Sequence, residues 1–286
     1  MIILIFYFPK SLLAEQPEPL KDLQCGCYPC LAQARQLIDH LNELKLSWYC
    51  YKASCGYIFI VDLNLTLKQG NAFMDAYPAL ENAFLVENHC DPPLVFLNKP
   101  EIQPSEEVFI SIMASYMRQQ YQDGYYNRKK LSMSSNRAKL FTSFIYNAAK
   151  YYSLDPFLLF AVGNFETYFR NMYGDLHRLQ HKTPDPALGM FQILRSTAKD
   201  IYMDMKRQKH PHTPDEFPDN LITHPKTQIY FAAHYIHKLY KQFFQNSFMA
   251  ILAYNGLAKP NCKYPLKIQR FYDNALKYFK KAVPQT

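Results

Sequence analysis

Apolar residues recur at helical spacing through the second half of the chain, where Ile229, Ala232, Ala233, Ile236, Leu239 and Tyr240 form one stripe of an amphipathic helix. Upstream, Asn147 to Tyr152 closes a helical stretch, Asp155-Pro156 supplies a turn, and Phe157-Leu158-Leu159-Phe160-Ala161-Val162 opens a second, apolar helix. In the first region Leu37, Leu41 and Leu44 recur within a predicted helix over 31–44, and Ser105 to Arg118 predicts another. Between them, Asp91-Pro92-Pro93-Leu94-Val95-Phe96-Leu97-Asn98 sets two prolines before a short apolar run. Gln119 to Ala138 is polar and basic with few aliphatics, which marks a linker. The pattern predicts an α+β chain: a small α/β domain over 20–118, a linker over 119–136, and a mainly α domain over 137–286.

Composition adds constraints rather than elements. At 286 residues and 49% hydrophobic content the chain is long enough for two cores. The net charge of +8 suits an anionic polymer, with basic residues clustered at Arg128, Lys129 and Lys130 and again at Lys259, Lys263, Lys267, Lys280 and Lys281 near the end. No nucleic-acid motif accompanies that charge, no repeat is apparent, and no cofactor is called for. Ile2 to Phe8 is an apolar run followed by Pro9-Lys10-Ser11-Leu12-Leu13-Ala14, which resembles a signal peptide over 1–14 with a truncated start; a buried strand is the alternative. Seven residues are too few for a membrane span of ~20, so export to the periplasm or cell envelope, with at most peripheral membrane contact, is the expectation.

Six of the seven cysteines, Cys25, Cys27, Cys30, Cys50, Cys55 and Cys90, precede residue 100, and Cys262 stands apart. In an exported protein that clustering predicts up to three disulfides of unknown connectivity. Cys27-Tyr28-Pro29-Cys30 at the start of the 31–44 helix is the redox or disulfide candidate, since a helix N-terminus lowers a thiol pKa. With the later proline-strand and final helix it is weakly similar to a thioredoxin-like domain; a disulfide-stapled accessory module is the other reading. Zinc fits the spacing poorly. His234 and His237, at i,i+3, lack an apparent third ligand and read as packed or exposed rather than metal-binding.

Three short blocks carry the chemistry: Phe165-Glu166-Thr167-Tyr168-Phe169, Gly189-Met190-Phe191-Gln192-Ile193 and Ala253-Tyr254-Asn255. They place one carboxylate at the end of an apolar helix, with a glutamine loop and a Tyr-Asn pair downstream. Each block alone is common. In this order, with Asn147 to Val162 before them, Thr197-Ala198 after the glutamine, and Arg270-Phe271-Tyr272 closing, they resemble the soluble lytic transglycosylase family, lysozyme-like enzymes that cut peptidoglycan. The chain departs conservatively from the family's Glu-Ser-x-Phe and Gly-Leu-Met-Gln and matches its Ala-Tyr-Asn.

The resemblance implies that residues 137–286 are a lysozyme-like catalytic domain with Glu166 as the single acid/base. Packing among Phe165, Phe169 and Tyr254 predicts a desolvated carboxyl with a raised pKa, able to protonate the leaving oxygen. The family then uses the sugar's own C6 hydroxyl as nucleophile, at high effective molarity, so no second carboxylate is needed. Thr167, Gln192, Tyr254, Asn255 and Tyr272 match substrate-contact positions, Gln192 as an amide that donates and accepts; core packing is the alternative for Tyr254 and Tyr272. Asp175 and Asp185, between the first two blocks, read as solvated loop acids. The implied partners are peptidoglycan glycan strands and a secretion or conjugation apparatus. A lysozyme-like hydrolase and a non-catalytic wall-binding assembly protein remain the alternatives.

Overall fold

The structure, a computed structural model, describes residues 4–6, 21–28, 34–43, 47–53, 56–65, 83–87, 102–123, 131–174, 185–218, 220–243, 246–257, 261 and 263–283. The chain divides into two units, and the division does not follow the sequence order. The first unit is Met1–Asn98 with Leu239–Leu266; the second is Lys99–Lys238 with Lys267–Thr286. The span 137–286 is therefore split, because residues 239–266 cluster with the first hundred.

In the first unit, β1 (Leu4–Phe6), β2 (Lys21–Tyr28), β3 (Ser47–Ala53), β4 (Gly56–Leu65) and β5 (Ala83–Glu87) form a sheet of order β1-β5-β2-β4-β3. β1 and β5 are parallel and the other neighbours antiparallel. Leu4–Phe6 forms a short strand in register with Ala83 and Leu85. Helix α1 (Arg35–Glu43) buries Leu37, Ile38 and Leu41 at helical spacing. Alternation along β3 points Trp48 and Cys50 to one buried face, where Cys50 lies opposite buried Phe59 and the Trp48 and Phe59 rings are 5.5 Å apart. β3 ends the sheet, and its outer edge is covered by α7 (Ser247–Tyr254) and its cap: Asn246 donates to the Trp48 carbonyl at 2.8 Å, and the Cys50 amide to Met249 Sδ at 2.9 Å.

These facts change the reading of the cysteines. Cys27 lies inside β2, and α1 begins only at Arg35, so Cys27 is not at a helix N-terminus. Among the described residues the strands flanking α1 are not neighbours, since β4 lies between β2 and β3, and a thioredoxin-like arrangement is not shown. Cys50 is a free, buried thiol, pushed above its ordinary pKa by burial, so it takes no part in a bridge. Cys30, Cys55, Cys90, Cys262 and the segment Asp91 to Asn98 lie outside the described residues.

The second unit is helical: α2 (Glu106–Asp123), α3 (Ser135–Tyr151), α4 (Pro156–Thr167), α5 (Arg195–Arg207), α6 (Pro225–Gln242, up to Lys238) and α8 (Lys263–Ala282, from Lys267). The helix expected as the last of the accessory domain is α2, and it packs here instead. Its Phe109, Met113 and Met117 are fully buried, Tyr146 of α3 donates to the Pro104 carbonyl at 2.9 Å, and Asn147 donates to Glu106 at 2.8 Å. Residues 119–123 of the expected linker are helical as well. At the core, the Phe157 ring is 5.2 Å from both Phe109 and Phe279. Among the described residues no helix is long and apolar enough to cross a membrane.

A buried polar chain joins four segments of this unit. The His212 amide donates to His210 Nδ1 at 3.2 Å, which leaves the His210 proton on Nε2, 2.8 Å from the Tyr152 hydroxyl. Tyr152 in turn donates to His234 Nδ1 at 3.2 Å, and His234 Nε2 donates to Asp204 at 3.2 Å. Lys238 at 2.8 Å holds the Asp204 carboxyl below its usual range. Both His234 ring nitrogens are thus engaged, one by Tyr152 and one by Asp204.

Burial, with His212 and His234 nearby, pushes His210 down from 6.5 to about 4. The unfolded chain therefore binds a proton between those values that the folded chain refuses. Stability from His210 is present above pH 6.5 and is lost as pH falls toward 4. Thermal unfolding measured across that window should show a midpoint that drops with acid, and less steeply in His210→Asn. Equal slopes for the two proteins would contradict the lowered His210 pKa.

Candidate active site

Asp155 starts α4 by accepting from the Phe157 amide at 2.8 Å, and Pro156 follows at the first helical position, where a missing N–H is harmless. The helix buries Phe157, Leu159, Phe160, Ala161, Val162, Gly163 and Asn164, so it is the central helix of its unit. Glu166 lies in its last turn and is half-buried. Tyr168 (φ 53°) and Phe169 (φ 60°) then both take left-handed conformations, which for bulky residues persist only where packing enforces them. Here the Phe169 ring is driven under the helix against Phe160, 4.6 Å between centroids. Phe165 turns the other way, half-buried, toward Phe271 at 5.6 Å with Lys267 Nζ 5.9 Å from its ring.

The second block forms a turn between short strands. β6 (Tyr173–Gly174), β7 (Ala187–Leu188) and β8 (Ile193–Leu194) make a small antiparallel sheet, with Gly189 to Gln192 joining β7 to β8. Phe191 packs into α4 where Gly163 has no side chain; a Cβ there would come within 3.0 Å of its ring. Gln192, also left-handed at φ 48°, donates through Nε2 to the Gly189 carbonyl at 2.8 Å and the Met172 carbonyl at 3.2 Å. Both amide hydrogens are thereby used, so Gln192 has only Oε1 to offer a sugar, as an acceptor. That oxygen lies where a Cβ on residue 174 would overlap it, which is why Gly174 stands there.

Two expected substrate contacts, Thr167 and Tyr272, and the loop acid Asp185 all have hydrogen-bond partners within the protein. Thr167 is 3% exposed, with its hydroxyl donating to the Met190 carbonyl at 2.9 Å and accepting from the Arg170 amide at 3.1 Å. It ties the end of α4 to the turn instead of facing a ligand. Tyr272 is 4% exposed and donates to Asp155 at 2.6 Å. Asp155 and Glu166 stand at opposite ends of α4, separated by about 16 Å of helix rise, so the Tyr272 phenol secures the helix start and not the glutamate. Asp185 accepts from the Ser196 amide at 2.8 Å and from its hydroxyl at 2.7 Å. Leu194 offers α5 no side-chain cap, and Asp185 supplies one from outside. Asp175 lies outside the described residues. Tyr254 ends α7, half-buried, and Asn255 follows it exposed, both in the first unit.

One important side chain was not singled out in the sequence. Gln228 of α6 is 1% exposed and accepts from the Met190 amide at 2.8 Å. It sits four residues before Ala232, on the apolar stripe, and an amide inside such a stripe is the available signal.

Part of the chain resembles known proteins. The family described as "Transglycosylase SLT domain" matches residues 143–267. No curated protein matches significantly. The chain is similar to an inactive mutant of the lytic transglycosylase Slt from Pseudomonas aeruginosa, with 20% identity over 50% of this chain and 24% of that one and a TM-score of 0.35. It is also similar to the 70 kDa soluble lytic transglycosylase from Escherichia coli, with 20% identity over 60% of this chain and 26% of that one and a TM-score of 0.31. It spans about a quarter of the length of either. The family match takes in Glu166, the turn with Gln192 and the Tyr254-Asn255 pair, and stops before Tyr272. Over residues 143–267, this chain is similar to a transglycosylase SLT domain.

Proposed function

We propose that the chain is a peptidoglycan lytic transglycosylase that cleaves the MurNAc-GlcNAc β-1,4 bond and leaves a 1,6-anhydro-MurNAc end. The observation that carries this reading is Glu166 in the last turn of a buried helix, inside a span that matches the SLT family, with the next residue bonded to the turn that holds Gln192. Glu166 in its acid form gives its proton to the glycosidic oxygen as the bond to C1 breaks. Its carboxylate then takes the proton of the C6 hydroxyl as O6 bonds to C1, so no water is consumed and Glu166 returns to its acid form. Gln192 Oε1, Tyr254 and Asn255 are the proposed sugar contacts, Gln192 as acceptor only.

The charge of +8 supports an anionic wall polymer as the partner. Because that polymer lies outside the cytoplasm, the proposal includes export to the periplasm or cell envelope, peripheral contact with the membrane, and service to a secretion or conjugation apparatus that opens the wall locally. Sequencing the amino terminus of the envelope-bound protein tests the signal at 1–14; an intact Met1 there would remove it.

Digestion of sacculi followed by weighing of the muropeptides tests the reaction. Ends one water lighter than reducing ends are expected. Reducing ends in their place identify a hydrolase, and no cleavage by folded protein leaves the wall-binding assembly role.

A further inference from the structure

The Gly189–Gln192 turn is held from two sides through a single residue. The Met190 amide donates to Gln228 Oε1 on α6 at 2.8 Å, and the Met190 carbonyl accepts from Thr167 Oγ1 on α4 at 2.9 Å. The rest of the Gln228 amide is also used, donating to the Leu221 carbonyl at 2.7 Å and the Ile222 carbonyl at 3.1 Å. A buried amide with every polar atom occupied has nothing to offer a sugar and cannot rotate without breaking several bonds. Its Oε1 also lies against the Cα of Gly189, where any Cβ would overlap it. The Gly189 carbonyl in turn accepts from the Gln192 amide side chain at 2.8 Å. An unbroken series of contacts therefore runs from the residue after Glu166, through Met190 and Gly189, to Gln192, and Gln228 fixes it from behind.

The geometry points to Gln228 as a positioning residue that sets the place of Gln192 relative to Glu166, with Thr167 as its counterpart on the other face of Met190. This rests on the transglycosylase reading. Gln228 touches neither the sugar nor the reacting atoms. It acts on turnover, because displacing a substrate-orienting group by an ångström costs up to about 10²-fold in rate.

The experiment measures kcat and KM on soluble, uncrosslinked glycan strands, well below the unfolding temperature, for the full chain and for Gln228→Met, Thr167→Val, Thr167→Ser and the Gln228→Met/Thr167→Val double variant. Gln228→Met should lower kcat by about 10- to 100-fold with KM little changed. Thr167→Val should do the same and Thr167→Ser, which keeps the hydroxyl, should restore kcat. Because both bonds end on Met190, the double variant should lose less than the product of the single losses. Wild-type kcat in folded Gln228→Met and Thr167→Val overturns the proposal while leaving the transglycosylase reading intact. If Gln228→Met does not fold, the Val and Ser pair decides, and equal kcat in the two overturns it. An inactive wild type removes the transglycosylase reading and this proposal with it.

Discussion

Glu166→Gln is expected to stop glycan cleavage while leaving glycan binding in place. The amide keeps the shape of the side chain but has no proton acidic enough for the leaving oxygen, and general acid catalysis contributes typically ~10²–10⁴-fold. The other acid described between the first two blocks is Asp185, whose two oxygens are committed to Ser196 at the start of α5. Asp185→Asn should therefore retain cleavage and lose about 1 kcal/mol of stability or less, the scale of a weakened helix cap. Release of anhydro-muropeptides reports the first effect, and co-sedimentation with sacculi reports binding. A Glu166→Gln protein that cleaves at the wild-type rate would end the single-glutamate mechanism.

Gly189→Ala should be the most damaging single-methyl change in the second unit. Gly189 sits at φ +74°, where an L side chain costs roughly 1–2 kcal/mol. The new Cβ would also overlap Gln228 Oε1. Moving that amide aside leaves the buried Met190 N–H or the Leu221 and Ile222 carbonyls without partners, at ~1–3 kcal/mol for each group stranded. A total loss of about 2–5 kcal/mol follows when one group is stranded, and more when both carbonyls are. Gly256→Ala is the control. Its φ is +105°, but among the described residues nothing lies within 4 Å of the added carbon, so only the backbone strain should register. Denaturant unfolding of both variants measures the difference, and equal losses would mean that the Gln228 contact contributes nothing.

The glutamate helix was legible because its signals are local. Asp155-Pro156 specifies the start, and the apolar run after it specifies burial. Tyr272 was not legible. Its partner is Asp155, 117 residues earlier, and a motif match records residue type and order but not which end of a helix a phenol reaches. Gln192 shows the same limit at atomic scale: the sequence supplies an amide, while the carbonyls of Met172 and Gly189 decide that its hydrogens face inward. In the first unit Trp48 and Cys50 alternate on β3 as a strand requires, yet the clustered cysteines invited a disulfide reading instead. Lys21–Tyr28 gave no warning at all, since its charged start and paired cysteines lack the alternation of a half-buried strand.

The cover over the edge of β3 sets an order of events during synthesis. Cys50 donates to Met249 and the Trp48 carbonyl accepts from Asn246, partners 199 and 198 residues further along the chain. A ribosome adding about 5–20 residues per second needs roughly 10–40 s to bridge that interval. For that time the nascent sheet presents an uncapped edge, the state in which strands pair with other chains. The folding of this protein is therefore gated by its late helix: the first sheet to be made is among the last parts to be finished.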